Sequence, residues 1–518
     1  MLNKGRNFFF CSSGFSGNKP KSTVFEFASC FFIFYLIASL IYYPSILING
    51  RIWAEEAREF LIPLATTSRS FEPIFYLHKG HLDIFPNIAT YLSLILPIQM
   101  TPYVFVWVAL IPIACFSLCF GCYLYHFVFL RLCVEENKKT KLLQYFWISA
   151  AGFLASSSFI GIESHINTLN SWTFIVASVA LLLPVTQTKK APVLASVFVS
   201  MSPILAFPSV LFSPCIFLQL LSSKSSRIKT QNILFFISCT IQYVLPRMLP
   251  SDWAFGNSRC FQVRDIIAII PTLFVKTIMP LIGNVHGFAR QSSSIWHSYS
   301  VLVIFSITCL LLFSIVVYLY SNSINLHSIF SEYTSLVDTS LSRVIGSTSF
   351  LILSWQIFAI ASPLNGAYAQ LMLGGGYRYS YSIFLVCLAI MSIIFLSSTS
   401  SKTVPTHLLG KCESWQVRRF KVTQITSMQA LSVGWLALML IVSIHSQKSR
   451  EIGDDFWCFV SRPKWSYHSH SEFIVDSLDP KSILTCPRGW DNTMQGQKKW
   501  TKDEKKIYCS KLYWAWII

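Results

Sequence analysis

Long apolar runs separated by short polar stretches dominate the chain. Runs of membrane-spanning character, against about 30 Å of hydrocarbon, lie at residues 25–47, 102–130, 142–161, 171–185, 192–206, 207–221, 231–248, 299–321, 345–363, 379–398 and 425–446. Two more, 83–98 and 265–285, are ambiguous. The first is short and holds Pro86 and Pro97, and the second carries Lys276 between Pro271 and Pro280. The pattern predicts an all-α fold, a polytopic transmembrane helix bundle of about eleven spans, give or take two.

Charge placement orients the bundle. Basic residues gather in the short connections, at Lys138, Lys139 and Lys141, at Lys189 and Lys190, and at Lys224, Arg227 and Lys229. Short cytoplasmic loops carry such an excess. With residues 1–24 (Lys4, Arg6, Lys19, Lys21) in the cytoplasm, residues 48–82 face outward. Parity then makes 83–98 interfacial or re-entrant, and 265–285 likewise if the basic loop 399–424 is to face inward. The domain plan is a cytoplasmic segment 1–24, a multi-pass domain 25–446 with an outward loop 48–101, and an extracytoplasmic Trp-rich tail 447–518. The first run is too long for a signal-peptide core and no A-x-A-like cleavage site follows it. The plan makes the protein an integral, multi-pass protein of a plasma membrane with its N-terminus in the cytoplasm.

Composition supports lipid as the solvent. Only 12% of residues are charged and 53% are hydrophobic, whereas soluble domains carry about 25% charged residues. That excludes a soluble enzyme, a disordered scaffold and a secreted disulfide module. The net charge of +18 is accounted for by the basic loops, so nucleic acid is not an expected partner. Most of the fifteen cysteines lie in apolar runs as small hydrophobes. Cys260, Cys458, Cys486 and Cys509 lie in polar stretches where an oxidising compartment allows pairing. No GxxxxGK[ST] occurs, which excludes a nucleotide-driven pump. No nucleotide or redox cofactor is expected.

Candidate chemistry collects in the outward loops. Glu55, Glu56 and Glu59 fall on one side of a helix over 50–64, with Ile52, Ala54, Phe60, Leu61 and Leu64 facing the bilayer. Neighbouring carboxylates beside an apolar surface raise one another's pKa, which suits a general base. A solvated interfacial helix is the alternative. His78, His81 and Asp83 offer a divalent-metal set, or the two histidines and Lys79 offer phosphate and sugar contacts. In the outward loop 162–172, Glu163, His165, Asn167 and Asn170 either line a sugar or acceptor pocket or cap two helix ends. Gly374-Gly375-Gly376-Tyr377-Arg378-Tyr379 lets backbone approach a ligand and supplies a planar charge for phosphate, or else anchors a span by a snorkelling Arg378.

The order of these features resembles bacterial integral-membrane glycosyltransferases of the GT-C superfamily. Trp53-Ala54-Glu55-Glu56 is similar to the acidic motif W-A-E-D-G of their first outward loop, with Glu56 as second acid and Ala57 in place of Gly. Gly80-His81-Leu82-Asp83-Ile84-Phe85-Pro86-Asn87 stands at a later motif, G-Y-L-x-x-x-P-R, with Asn87 where Arg is usual. The dipeptide Arg378-Tyr379 and the tail segment Cys486-Pro487-Arg488-Gly489-Trp490 follow in similar order. The resemblance implies transfer of a sugar from a polyprenyl-phosphate-linked donor to a glycan or lipid acceptor at the outer face, in cell-envelope polysaccharide synthesis. It assigns Glu55 or Glu56 as base. Lys79, His81, Asp83, Glu163, His165, Arg378 and Tyr379 would bind substrate, with a divalent metal or Arg378 at the leaving phosphate. A transporter or flippase for a lipid-linked or anionic glycan, and a non-catalytic envelope assembly protein, are the competing readings. Residues alone leave sugar, acceptor and oligomeric state open.

Overall fold

Apolar runs become helices because, in lipid, each backbone N–H and C=O must find its partner within its own segment. The computed structural model describes residues 19–42, 44–50, 56, 60, 72–78, 81–96, 100–126, 138–156, 166–186, 192–223, 225–248 and 378–400, with isolated positions within 267–271, 300–311 and 430–441. Its helices are α1 (Lys19–Tyr42), α2 (Pro44–Asn49), α3 (Ile84–Ile95), α4 (Thr101–Leu124), α5 (Lys138–Ala155), α6 (Ser171–Thr186), α7 (Val193–Leu205), α8 (Ser213–Ser222), α9 (Ser226–Met248) and α10 (Arg378–Ser400). Short 3-10 turns occupy Glu72–Phe75, Thr168–Asn170 and Phe207–Phe212. A two-residue antiparallel hairpin pairs β1 (Leu77–His78) with β2 (His81–Leu82) in the register Leu77↔Leu82 and His78↔His81.

The protein is all-α and membrane-associated. Among the described residues, Thr23–Tyr42, Thr101–Leu124 and Thr168–Thr186 are long and apolar enough to cross a membrane. Proline explains the shorter pieces. The run 207–221 opens as a 3-10 turn and only then becomes α8, with Pro208 and Pro214 each accepted in a first turn, where a missing N–H costs nothing. Pro203 deprives the Val199 carbonyl of its usual donor, and the Ser202 hydroxyl donates to that carbonyl at 2.8 Å instead. The run 425–446 is described only at isolated positions, and 345–363, the loop 399–424 beyond Ser400 and the tail 447–518 lie outside the described residues.

At the centre is α6. From Thr173 to Thr186 every residue is buried, with α4, α7 and α10 packed around it. The outer faces of the surrounding helices are apolar too: Ile33, Ile37 and Ile41 on α1, Trp107, Ile111 and Leu118 on α4, and Ile233, Ile237 and Ile241 on α9 are exposed. A chain that is apolar both inside and outside gains little from burial itself. Cohesion then comes from close backbone approach and from polar pairs between helices. A Cβ on Gly152 of α5 would lie 2.3 Å from the Phe31 carbonyl oxygen of α1. Ser39 and Ser156 pair through their hydroxyls at 2.6 Å, and Cys30 lies 3.2 Å from the Ser149 hydroxyl. Trp147 of α5 donates its indole N–H to Ser392 at 2.9 Å and stacks on Phe395, tying α10 to α5.

These contacts sort the helix ends into two groups. Ser39 meets Ser156, the Tyr381 hydroxyl donates to the Ala155 carbonyl, and Gly50 abuts Pro102. The end of α1, the start of α4, the end of α5 and the start of α10 therefore share one end of the bundle. Glu26 pairs with Lys141 at 3.5 Å and Arg227 donates to the Pro192 carbonyl at 2.7 Å, marking the other end. The basic connections predicted to face inward thus leave from helix ends opposite the candidate loops.

Candidate functional site

The site is built from the residue upward at Glu56. Gly50 ends α2 with φ of 72°, a left-handed conformation that favours glycine, and a Cβ there would meet the Pro102 backbone at 2.6 Å. Glu56 is 1% exposed. Its Oε1 accepts from the Thr168 backbone N–H at 2.6 Å and from the Thr168 hydroxyl at 2.5 Å. Of the predicted amphipathic segment only Glu56 and Phe60 are described, and Phe60 corrects the expectation for it. Rather than facing the bilayer it is fully buried, with its ring edge-on to Tyr76 at 6.1 Å. Burial against an aromatic gives it more contact than lipid would.

The turn that holds Glu56 is itself capped. Asn167 Oδ1 accepts from the Asn170 N–H at 2.8 Å, so for Asn167 the cap alternative holds. The Thr173 hydroxyl accounts for the Asn170 carbonyl at 2.7 Å. Asn170 is buried, and its Oδ1 has no hydrogen-bond partner among the described residues.

The second wall is the hairpin and α3. Gln242 of α9, buried 160 positions away, closes the open edge of β2 as a neighbouring strand would. Its Oε1 accepts from Leu82 N–H at 3.0 Å, and its Nε2 donates to the Leu82 carbonyl at 3.0 Å and to the Pro203 carbonyl at 3.1 Å. The hairpin presents His81, which stacks on Phe207 at 5.1 Å and lies 3.3 Å from Asp83 through Nε2. Asp83 stands at the N-cap of α3 but makes no side-chain cap bond, so its carboxylate serves His81 rather than the helix. Asn87 donates to the Ile74 and Tyr76 carbonyls at 3.2 and 2.7 Å, fastening the Glu72–Phe75 turn to α3. At twelve residues and about 18 Å, at 1.5 Å per residue, α3 is too short to cross hydrocarbon. It packs on α4 and on the Thr168–Asn170 turn.

Glu56, Asn170, His81 and Asp83 are thus carried by elements that converge on one end of the bundle, and Arg378 and Tyr379 open α10 at that end. Glu55, Lys79, Glu163 and His165, with the side chains of His78, Arg378 and Tyr379, lie outside the described residues. Among the described residues no three His, Cys, Asp or Glu side chains gather; His81 and Asp83 hold each other. Sequence reasoning missed Thr168 as the carboxylate's partner and Gln242 as the hairpin's clamp. Gln242, deep inside the apolar run 231–248, was the available signal for the second. Comparison with protein-family models, with curated proteins and with solved structures finds no match.

Proposed function

We propose that this protein is an integral-membrane glycosyltransferase that uses a polyprenyl-phosphate-linked sugar, with its site at the Glu56 end of the bundle and that end facing out of the cell. One observation carries the reading: a glutamate buried at one end of the bundle, oriented by two donors of Thr168, whose turn packs on α3. Ionisable groups buried in membrane domains are costly and mark functional positions. The reaction is one inverting displacement. The acceptor oxygen forms a bond to the anomeric carbon, the bond from that carbon to the phosphate oxygen breaks, and polyprenyl phosphate departs. The hydroxyl proton passes to Glu55 or Glu56. Arg378 balances the charge of the departing phosphate.

The test is turnover by the full chain in lipid nanodiscs with polyprenyl-phosphate sugars and crude envelope acceptors, wild type beside Glu56→Gln and Arg378→Ala. Glutamine keeps an acceptor oxygen for Thr168 while removing the base. Consumption of donor with matching release of polyprenyl phosphate, lost in Glu56→Gln, is the expected result. Saturable donor binding with no consumption by wild type would replace the transferase with a transporter for the same ligand.

A further inference from the structure

The buried face of α3 has two halves. Phe85 and Ala89 pack on Val104, Phe105, Val108 and Ile175. Asn87, Thr90 and Ser93, spaced three apart, form the other half, and none of the three has any exposed surface. Asn87 is oriented by its two N–H bonds to carbonyls, which fixes where its oxygen lies. That Oδ1, Thr90 Oγ1 and Ser93 Oγ have no hydrogen-bond partner among the described residues. Two of the elements packed against α3 add more of the same: Asn170 Oδ1 from the Thr168–Asn170 turn and Thr101 Oγ1 at the start of α4, at 4% and 1% exposure. Buried polar atoms are as a rule hydrogen-bonded, and five such oxygens on three adjoining elements call for an occupant. Meanwhile the opposite side of α3 exposes Leu92, Ile95 and Leu96. The helix turns its polar stripe away from lipid and into the protein, the arrangement of a helix that lines a substrate path.

We infer that the inner face of α3, with Asn170 and Thr101, binds a neutral polyhydroxylated ligand, the sugar portion of a substrate. The chemistry selects this class. The amide oxygens of Asn87 and Asn170 only accept, so the occupant must bring hydrogen-bond donors; the three hydroxyls both give and take. Phosphate brings acceptors and negative charge, and none of the five side chains is cationic. Sugar hydroxyls supply donor and acceptor together at the density the stripe requires. The inference deepens the proposed function and rests on it for the claim that the bound sugar reacts; binding stands apart from that claim. The oxygens are closed over in the present conformation, so entry of the ligand parts α3 from the Thr168–Asn170 turn and the start of α4.

The experiment uses the full chain in nanodiscs prepared without glycoside detergents, with the methyl α-glycosides of glucose, galactose and mannose as neutral probes and inorganic phosphate as the anionic one, read by calorimetry. Thr90→Val, Ser93→Ala and their double variant remove hydroxyls with little change of volume. At least one methyl glycoside is expected to bind saturably without competition from phosphate. The double variant should weaken that binding about tenfold or more while keeping the thermal midpoint of wild type. Absence of binding by all three glycosides, equal binding by the double variant, or displacement by phosphate would each overturn the inference. A lowered midpoint with glycoside binding unchanged would assign the hydroxyls to ordered water. Donor turnover without glycoside binding removes this inference and spares the transferase; glycoside binding without turnover does the reverse.

Discussion

A carboxylate inside a lipid-embedded bundle needs partners, and Thr168 supplies Glu56 with a backbone and a side-chain donor at one oxygen. The pairing fastens Glu56 to the start of α6, so the bonds that orient the carboxylate also hold the segment that carries it. The two roles separate by substitution. Glu56→Gln should leave the thermal midpoint close to wild type and abolish sugar transfer. Thr168→Val, which deletes the hydroxyl and keeps the backbone N–H, should cost about 1–3 kcal/mol, measured by reversible unfolding in mixed micelles; Thr168→Ser should restore most of it. An unaltered stability in Thr168→Val would mean that the hydroxyl contributes nothing to the anchor. That Glu56 turns away from lipid was readable from the spacing of polar and apolar positions in 50–64. Its partner was not, because the bond spans 112 positions and depends on how α6 packs.

At the scale of elements, helix existence was legible for the long apolar runs that fall among the described residues. The run 102–130 contains most of α4, 171–185 becomes α6 and 192–206 becomes α7, since lipid offers such runs no alternative backbone partner. Pairing between elements was not legible: nothing in the local pattern assigns Gln242 to Leu82 or Gly152 to Phe31. Both pairings predict clear losses. Gln242→Leu removes three hydrogen bonds and leaves the Leu82 backbone groups buried without partners, so amide exchange at Leu82 should rise by orders of magnitude while the α1–α5 contact is undisturbed. Gly152→Val forces α1 and α5 apart and should cost about 1–3 kcal/mol or more, seen as a lowered midpoint; Gly152→Ser should fall between, since its side chain is smaller. Retained wild-type stability in Gly152→Val would show that the two backbones do not approach as closely as described.

For the whole molecule, the separation of helix ends is the statement that most constrains function. One end gathers Ser39, Ala155, Ser156, Glu56 and the first turn of α10; the other gathers Glu26, Lys141, Pro192 and Arg227. Single cysteines at the exposed Phe75 and at the part-exposed Lys141, in a background where the native cysteines are replaced, should react with a membrane-impermeant maleimide from opposite sides of intact cells or inverted vesicles. Labelling of both from one side would dissolve the proposed orientation and the outward-facing site with it. Parity of apolar runs and the placement of lysines made this division legible early; the short α3 was recognisable as a non-spanning piece from its prolines and length.

The burial of α6 also bears on how the chain is made. A membrane protein is threaded into the bilayer from its N-terminus onward, and α6 emerges when α1, α4 and α5 are already there. Its remaining walls, α7 and α10, arrive later, α10 some two hundred positions further along the chain. Until then the side of α6 that will meet Tyr381 faces lipid or the insertion machinery, with Phe174 waiting for the ring that packs edge-on against it at 5.5 Å. Biogenesis therefore has a late step, in which the bundle closes around a helix inserted long before. A chain cut short before Arg378 would leave that helix exposed on one side, a defect that the quality-control proteases of a membrane can detect.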